Sequence, residues 1–157
     1  MEEIGEFIRM HREVLLKEWL SQSLEMYPKQ SRSLMLNNRD PFSNPISSAL
    51  AHGLEQLLGE LCGDEKACPE KALTELGRLL GVQEMPPSKC LGFIFGLKPL
   101  LIKMATSEGR KGGFKTEELK EFELWIEQRT LGLFDQYMEH REHIYQLKGD
   151  EMKQKNY

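Results

Sequence analysis

The sequence predicts an all-α protein: a single helical domain of five or six helices that ends in a long C-terminal one. Three observations carry this. Apolar residues recur at three- and four-residue spacing almost from end to end, which marks one face of a helix. No stretch alternates apolar and polar residues as a half-buried strand does. Prolines and glycine-rich turns mostly separate the periodic stretches, and 157 residues suffice for one core.

Each element follows in order. Ile4, Phe7, Ile8, His11, Val14, Leu15, Trp19 and Leu20 make the stripe of a first helix. Glu2, Glu3 and Glu6 suit the positive end of its dipole. Pro28 ends it near Tyr27, because a residue before proline avoids the α region. A short helix over 29–36 comes next, then a loop, Asn37-Asn38-Arg39-Asp40-Pro41-Phe42-Ser43. Asn44 is placed to cap free N–H groups, and Pro45 suits a first helical position. That helix carries Ile46, Ala49, Leu50, Leu54, Leu57, Leu58 and Leu61 and ends near Gly63. Pro69 opens another, with Ala72, Leu73, Leu76, Leu79 and Leu80 as its stripe.

A polar break, Gly81-Val82-Gln83-Glu84-Met85-Pro86-Pro87, precedes the apolar run Cys90–Leu97. The run predicts a helix buried on most sides, capped by Ser88 and bent at Pro99. The stretch 108–113 reads as a flexible loop. Thr116 is expected to cap a final helix of about 30 residues, some 45 Å long. Residues 1–148 are expected to form the domain and 149–157 a polar tail, with fraying from Lys148 onward.

Composition excludes several classes. With 21 Lys and Arg against 25 Asp and Glu, the net charge of −4 gives no overall basic footprint for nucleic acid. Cys62, Cys68 and Cys90 are odd in number and lack C-x-x-C spacing, which fits free thiols in a reducing compartment. The N-terminus is acidic where a signal peptide is basic. The longest apolar run stops at Lys98, short of the ~20 residues of a membrane span. A cytoplasmic protein without membrane insertion is expected.

No constellation of catalytic groups stands out, so no enzyme is expected. His140 and His143 could pinch a metal from one helix turn, but a structural zinc site needs about four ligands and no matching pair exists; a solvated charged face is the plainer reading. His11 or His52 could hold haem iron, yet a histidine on an apolar face is more often simply packed. Cys90, at a helix start, is either a reactive thiol or a small buried residue. Gly109-Arg110-Lys111-Gly112-Gly113 lacks the spacing of a phosphate loop. Asn44 and Gln83, each beside a proline break, either satisfy helix ends or reach a ligand.

Four segments line up in order: Trp19 with Tyr27-Pro28; Asp40-Pro41-Phe42-Ser43-Asn44-Pro45; Val82-Gln83 with Pro87-Ser88; and Gly92-Phe93-Ile94-Phe95 with Leu97-Lys98. Together they resemble the N-terminal domain of the RsbRD-type RsbT co-antagonist family, from about Trp19 to Lys103. The resemblance implies a helical sensory domain, with a globin-like form and dimerisation among its expectations. Such domains precede a STAS domain or a sensor histidine kinase in stress pathways. No catalytic residue comes with the family. Cys90 and Gly81 stand where the family tends to have a small residue such as Ala.

The resulting expectation is a non-enzymatic cytoplasmic regulator in a stress-response or redox-linked pathway. It would act as a homodimer and with a separate STAS, kinase or other signalling protein; with Tyr157 the last residue given, either the signal leaves through such a partner or the sequence is a fragment or stand-alone relative. The alternative is a stand-alone small-ligand or haem-binding sensor or carrier. Candidate ligand or signature residues are Tyr27, Asn44, Pro45, Gln83, Pro87, Ser88 and Phe93. Candidate dimer or output residues are Leu119, Phe122, Ile126, Leu133 and Tyr137. No cofactor and no metal are expected.

Overall fold

The structure, a computed structural model, describes residues 1–37 and 42–155. Eight α-helices run in order among them: α1 (Glu2–Met10), α2 (Arg12–Ser23), α3 (Lys29–Asn37), α4 (Pro45–Leu61), α5 (Pro69–Gly81), α6 (Pro87–Leu91), α7 (Leu97–Ser107) and α8 (Thr116–Lys155). Single 3-10 turns lie at Leu24–Met26 and Gly92–Ile94, and no strand occurs among the described residues. The all-α single domain with a long last helix is therefore observed. The expected loop at 37–43 falls largely on 38–41, outside the described residues; Asn37 closes α3 and Phe42-Ser43 form a turn.

The five or six expected helices become eight among the described residues because two of them split. At His11 the backbone leaves the helical region (φ −117°, ψ 21°), which separates α1 from α2. Across that break Val14 turns outward, while Leu15, Trp19 and Leu20 stay buried. The second split lies at Gly92–Gly96 rather than at Pro99. Pro99 is the third residue of α7. First-turn N–H groups have no intrahelical partner, so a proline there removes no bond and causes no bend. A Cβ on Gly96 would stand 2.7 Å from Nε2 of Gln22, so a glycine lets the chain pass α2 at this break.

Helix ends partly follow the sequence. Asn44 accepts from the Ser47 amide at 3.4 Å, and Pro45 is the first residue of α4. Gly63 (φ +74°) ends α4, with the Asp64 amide bonding back to the Gly59 carbonyl at 2.9 Å. Two expected caps are corrected. Ser88 lies inside α6, whose N-cap is Pro86 with no side-chain cap bond. Thr116 lies inside α8, and the Lys115 carbonyl takes the first helical bond, from the Leu119 amide at 3.0 Å. Helix α8 spans 40 residues rather than about 30, because Lys148–Lys155 continue it instead of fraying. Asn156 and Tyr157 lie outside the described residues.

One core serves the whole chain. Trp19, Leu54, Leu57, Leu58, Leu76, Ile94 and Phe122 are enclosed at its centre. Burial of each such side chain contributes about 1.5–3 kcal/mol before entropy is counted. Helix α5 packs between α4 and α8. The segment Pro87–Ser107 has a mean hydropathy of 1.3 over its best window, but it is broken between α6 and α7 and buries Leu91, Ile94, Leu97 and Leu101 in the core.

Candidate functional site

Of the family-signature residues, Tyr27 and Gln83 meet at the turn between α5 and α6, Pro87 and Ser88 follow it, and Tyr137 and Arg141 of α8 bond to that turn. The contact between α5 and α8 sets the geometry. A Cβ on Gly77 would lie 2.5 Å from Cβ of Gln136 and 3.0 Å from the amide nitrogen of Tyr137. One on Gly81 would lie 2.9 Å from Cβ of His140. Two glycines four apart on one helix face thus bring α8 almost onto the α5 backbone.

This approach carries Tyr137 and Arg141 to the turn. The Tyr137 hydroxyl donates to the Met85 carbonyl at 3.2 Å. Arg141 Nη1 reaches the carbonyls of Gly81 and Gln83 at 3.4 and 3.5 Å. These are carbonyls that the end of α5 and the following turn leave without helical partners. Arg141 also donates to the Tyr145 hydroxyl at 2.7 Å and lies 4.9 Å over that ring.

On the inner side of the turn stand Gln83, Tyr27 and Cys90. Gln83 Nε2 donates to the Leu79 carbonyl at 3.0 Å, which is helix-end chemistry. The Tyr27 hydroxyl is enclosed without a hydrogen-bond partner. Burial pushes its pKa up, and the nearby Gln83 side chain opposes that push without making a bond of normal geometry. Cys90 is fully buried, and burial raises its thiol too, with Tyr137 acting against it. A raised thiol is the reverse of an activated nucleophile.

The remaining signature residues make other joints. Trp19 Nε1 donates to the Phe93 carbonyl at 2.9 Å, and the two rings lie 6.3 Å apart. Asn44 Nδ2 reaches the Leu34 carbonyl at 3.4 Å, and Ser47 Oγ donates to the Met35 carbonyl at 2.8 Å. Pro45 and Pro87 each begin a helix. Asp40 and Pro41 lie outside the described residues.

The candidate output residues sit differently from expectation. Phe122, Ile126, Leu133 and Tyr137 are buried within the protomer, with Leu119 packed against the same core. They form the inner face of α8, so they offer no surface to a second molecule. The outer face carries other apolar side chains, among them Leu124, Leu131, Tyr145 and Met152.

The histidines are scattered. His11 lies beside Phe7, ring centroids 4.4 Å apart, at the α1–α2 break. His52 is exposed and lines a depression with Gln56, Lys66, Lys71 and Glu75, which is no apolar haem wall. His140 is not on a solvated face: its Nε2 is enclosed without a hydrogen-bond partner, while His143 is exposed. No group of three metal-ligating side chains occurs among the described residues.

A cleft of about 470 Å³ lies away from the turn, lined by Glu6, Arg9, Glu60, Cys62 and Trp125 among others. Its polar groups are already engaged. Arg9 Nη2 donates to the Cys62 carbonyl at 2.6 Å, and Trp125 Nε1 and Arg129 Nε both donate to Glu60 Oε2 at 2.9 Å. Burial works against the Arg129 charge, but Glu60 and Glu70 outweigh it and hold its pKa above the ordinary value.

No curated protein and no solved structure matches the chain. The profile of the RsbT co-antagonist protein RsbRD N-terminal domain matches residues 13–152, which takes in the turn, the buried signature residues and nearly all of α8. The chain therefore belongs to the family of RsbT co-antagonist RsbRD N-terminal domains.

Proposed function

We propose that the chain is a non-enzymatic, cytoplasmic regulatory module that receives a stress or redox-linked input in its helical core and passes it to other proteins through α8. The observation that carries this reading is the family match over residues 13–152. The receiving partner is a STAS-domain protein or a switch kinase of the RsbT type, and the module acts as a homodimer. Residues 1–148 form the module and 149–157 its polar tail. The turn at 81–86 supports a coupling role, because Tyr137 and Arg141 bond to it from the last part of α8 that touches the core.

The test uses the purified chain with the STAS protein and switch kinase encoded in the same genome. The expected result is co-elution with one of them, or a changed rate of STAS phosphorylation. Neither effect at tens of micromolar would overturn the reading.

One observation favours a second reading, a small-ligand sensor. The Tyr27 hydroxyl beside Gln83 is buried and unpartnered, which a small polar ligand or a water would satisfy. Tyr27→Phe should then abolish a ligand-induced rise in melting temperature. An equal rise in both proteins would remove this reading.

A further inference from the structure

On the inner side of the turn at 81–86 the core encloses hydrogens that nothing accepts. The Tyr27 hydroxyl has no partner, and Tyr27 as a whole is only 8% exposed. Its polar neighbours are the side chains of Gln83 and Cys90. Cys90, fully buried, faces the Tyr137 hydroxyl in turn. Four polar side chains from four separate stretches of the chain thus meet in an otherwise apolar core. Enclosing such groups is unfavourable unless each is satisfied.

Their hydrogens can be followed one by one. Tyr137 gives its hydroxyl hydrogen to the Met85 carbonyl at 3.2 Å. Cys90 turns its thiol hydrogen to the Pro87 carbonyl at 3.7 Å. Gln83 Nε2 carries two hydrogens and gives one to the Leu79 carbonyl at 3.0 Å. The other lies toward Tyr27 without a bond of normal geometry, and the Tyr27 hydrogen has no acceptor at all. What the cluster lacks is an acceptor. A carbonyl oxygen has two lone pairs and brings no hydrogen of its own, so one such atom satisfies both donors. A water also accepts from both, but it adds two hydrogens, and the Cys90 sulfur is a weak acceptor for them. A carboxylate would carry its charge to a place where burial already pushes Tyr27 and Cys90 towards their uncharged forms. Arg141, the cation that acts on this cluster, is turned to the carbonyls of Gly81 and Gln83 and to Tyr145.

We infer that the point where Tyr27, Gln83 and Cys90 meet is a binding site for a small uncharged carbonyl compound, whose oxygen takes the hydrogens of the Tyr27 hydroxyl and the Gln83 amide. The inference deepens the ligand-sensor reading above by naming the class of ligand, and it rests on that reading. The way in is the turn itself. Tyr137 and Arg141 hold that turn from α8, so a ligand enclosed behind it favours the clasped state. Binding and the grip of α8 are then linked, and each strengthens the other.

Thiol labelling of the full chain tests this, with acetone as the probe. Acetone has a carbonyl and no polar hydrogen. Isopropanol keeps its skeleton but adds such a hydrogen, and acetate adds a charge. A ligand of about four heavy atoms is held at tens of micromolar at best, so titrations run to about 100 mM. Acetone should slow the labelling of Cys90 saturably, by about elevenfold at ten times its Kd, and leave Cys62 and Cys68 unchanged. Isopropanol and acetate should act at least about tenfold more weakly. Tyr27→Phe should abolish the effect yet melt no lower than its parent, because it deletes a hydroxyl that has no partner. No slowing by acetone, or equal slowing in Tyr27→Phe, overturns the site. A Tyr27→Phe chain that melts clearly lower also overturns it, because the hydroxyl would then have a partner within the fold. Slowing by acetate or isopropanol alone, lost in Tyr27→Phe, would sink the carbonyl and leave the ligand-sensor reading standing.

Discussion

Replacing Gly77 by Ala should destabilise this protein, although alanine is the better helix former. In an open helix interior the change is worth up to about 1 kcal/mol in favour of alanine. Here the new methyl would stand 2.5 Å from Cβ of Gln136, 2.9 Å from its carbonyl carbon and 3.0 Å from the amide of Tyr137. Carbon atoms at rest sit about 3.5–4.0 Å apart, so α5 and α8 must part by roughly 1 Å. The obstructing atoms belong to a helix backbone and a Cβ, which no rotamer change can move aside. Overpacking of this kind costs about 1–3 kcal/mol, and rigid obstacles belong at the upper end. Subtracting the helix gain leaves about 2 kcal/mol of destabilisation. For a chain of this size that is a melting-temperature fall of about 4–8 °C. Urea melts should show the same loss as a lower midpoint at unchanged slope. The comparison is Gly149→Ala, which has nothing within 4 Å and sits in the exposed end of α8. It should raise helicity without lowering the midpoint. A Gly77→Ala protein as stable as its parent would show that α5 and α8 do not approach as described, and the clasped turn would go with it.

Other substitutions probe other joints. Trp19→Phe removes the buried indole donor to the Phe93 carbonyl, which keeps its bond from the Gly96 amide at 3.2 Å, and leaves a void in a filled core, so it should cost about 1–2 kcal/mol by denaturant midpoint. Glu60→Ala strips the acceptor from Trp125 and one of two carboxylates from Arg129, which keeps Glu70 at 2.7 Å, and should cost about 1–2 kcal/mol, less than a fully buried pair because Glu60 is a quarter exposed. Glu118 accepts the Glu3 and Ile4 amides at 3.1 and 3.2 Å; burial pushes its pKa up, but these bonds outweigh that and hold it below the ordinary value. A depressed carboxyl stabilises above its unfolded pKa and loses that contribution as pH falls through the folded one, so Glu118→Gln should flatten the acid limb of stability below the ordinary glutamate pKa. Cys68 is exposed while Cys62 and Cys90 are buried in different places, so thiol labelling reads three sites. Tyr137→Phe loses the bond to Met85 and should speed Cys90 labelling about fivefold, for a bond worth about 1 kcal/mol, with Cys62 much less affected. Equal acceleration at both would mean that the turn opens only with the whole domain.

Signals confined to one or two neighbouring residues were readable in the sequence. Asn44-Pro45 marks the start of α4 because a side-chain acceptor and a missing donor act locally. Pro69 marks α5 and Gly63 closes α4 for similarly local reasons. Features set by distant partners were not readable. Nothing near Trp19 announces a bond to residue 93, and the spacing of Gly77 and Gly81 says nothing of which helix approaches them. The break at His11 and the outward turn of Val14 depend on how two helices share one core. Thr116 is a good capping residue that lost its place, because the helix starts one residue earlier than its side chain requires. The burial of Phe122, Ile126, Leu133 and Tyr137 was unreadable for a different reason. Helix α8 has two apolar faces about half a turn apart, and a single-stripe reading collects the inner one first because it is richer in large aromatic residues.

Those two faces fit the output proposed for α8. Up to Tyr137 its inner face is locked in the core, and at Arg141 it still holds the turn. Beyond Tyr145, every described residue but Gly149 is exposed. A continuous helix turns as one piece, so any rotation at Tyr137 reaches Met152 undiminished. A rotation of about 20° shifts a Cα by only about 0.8 Å at a helix radius of 2.3 Å. A change at the turn too small to disturb packing elsewhere would therefore still re-aim Tyr145 and Met152, the exposed apolar side chains of α8 beyond the contact that Tyr137 and Arg141 make with the turn.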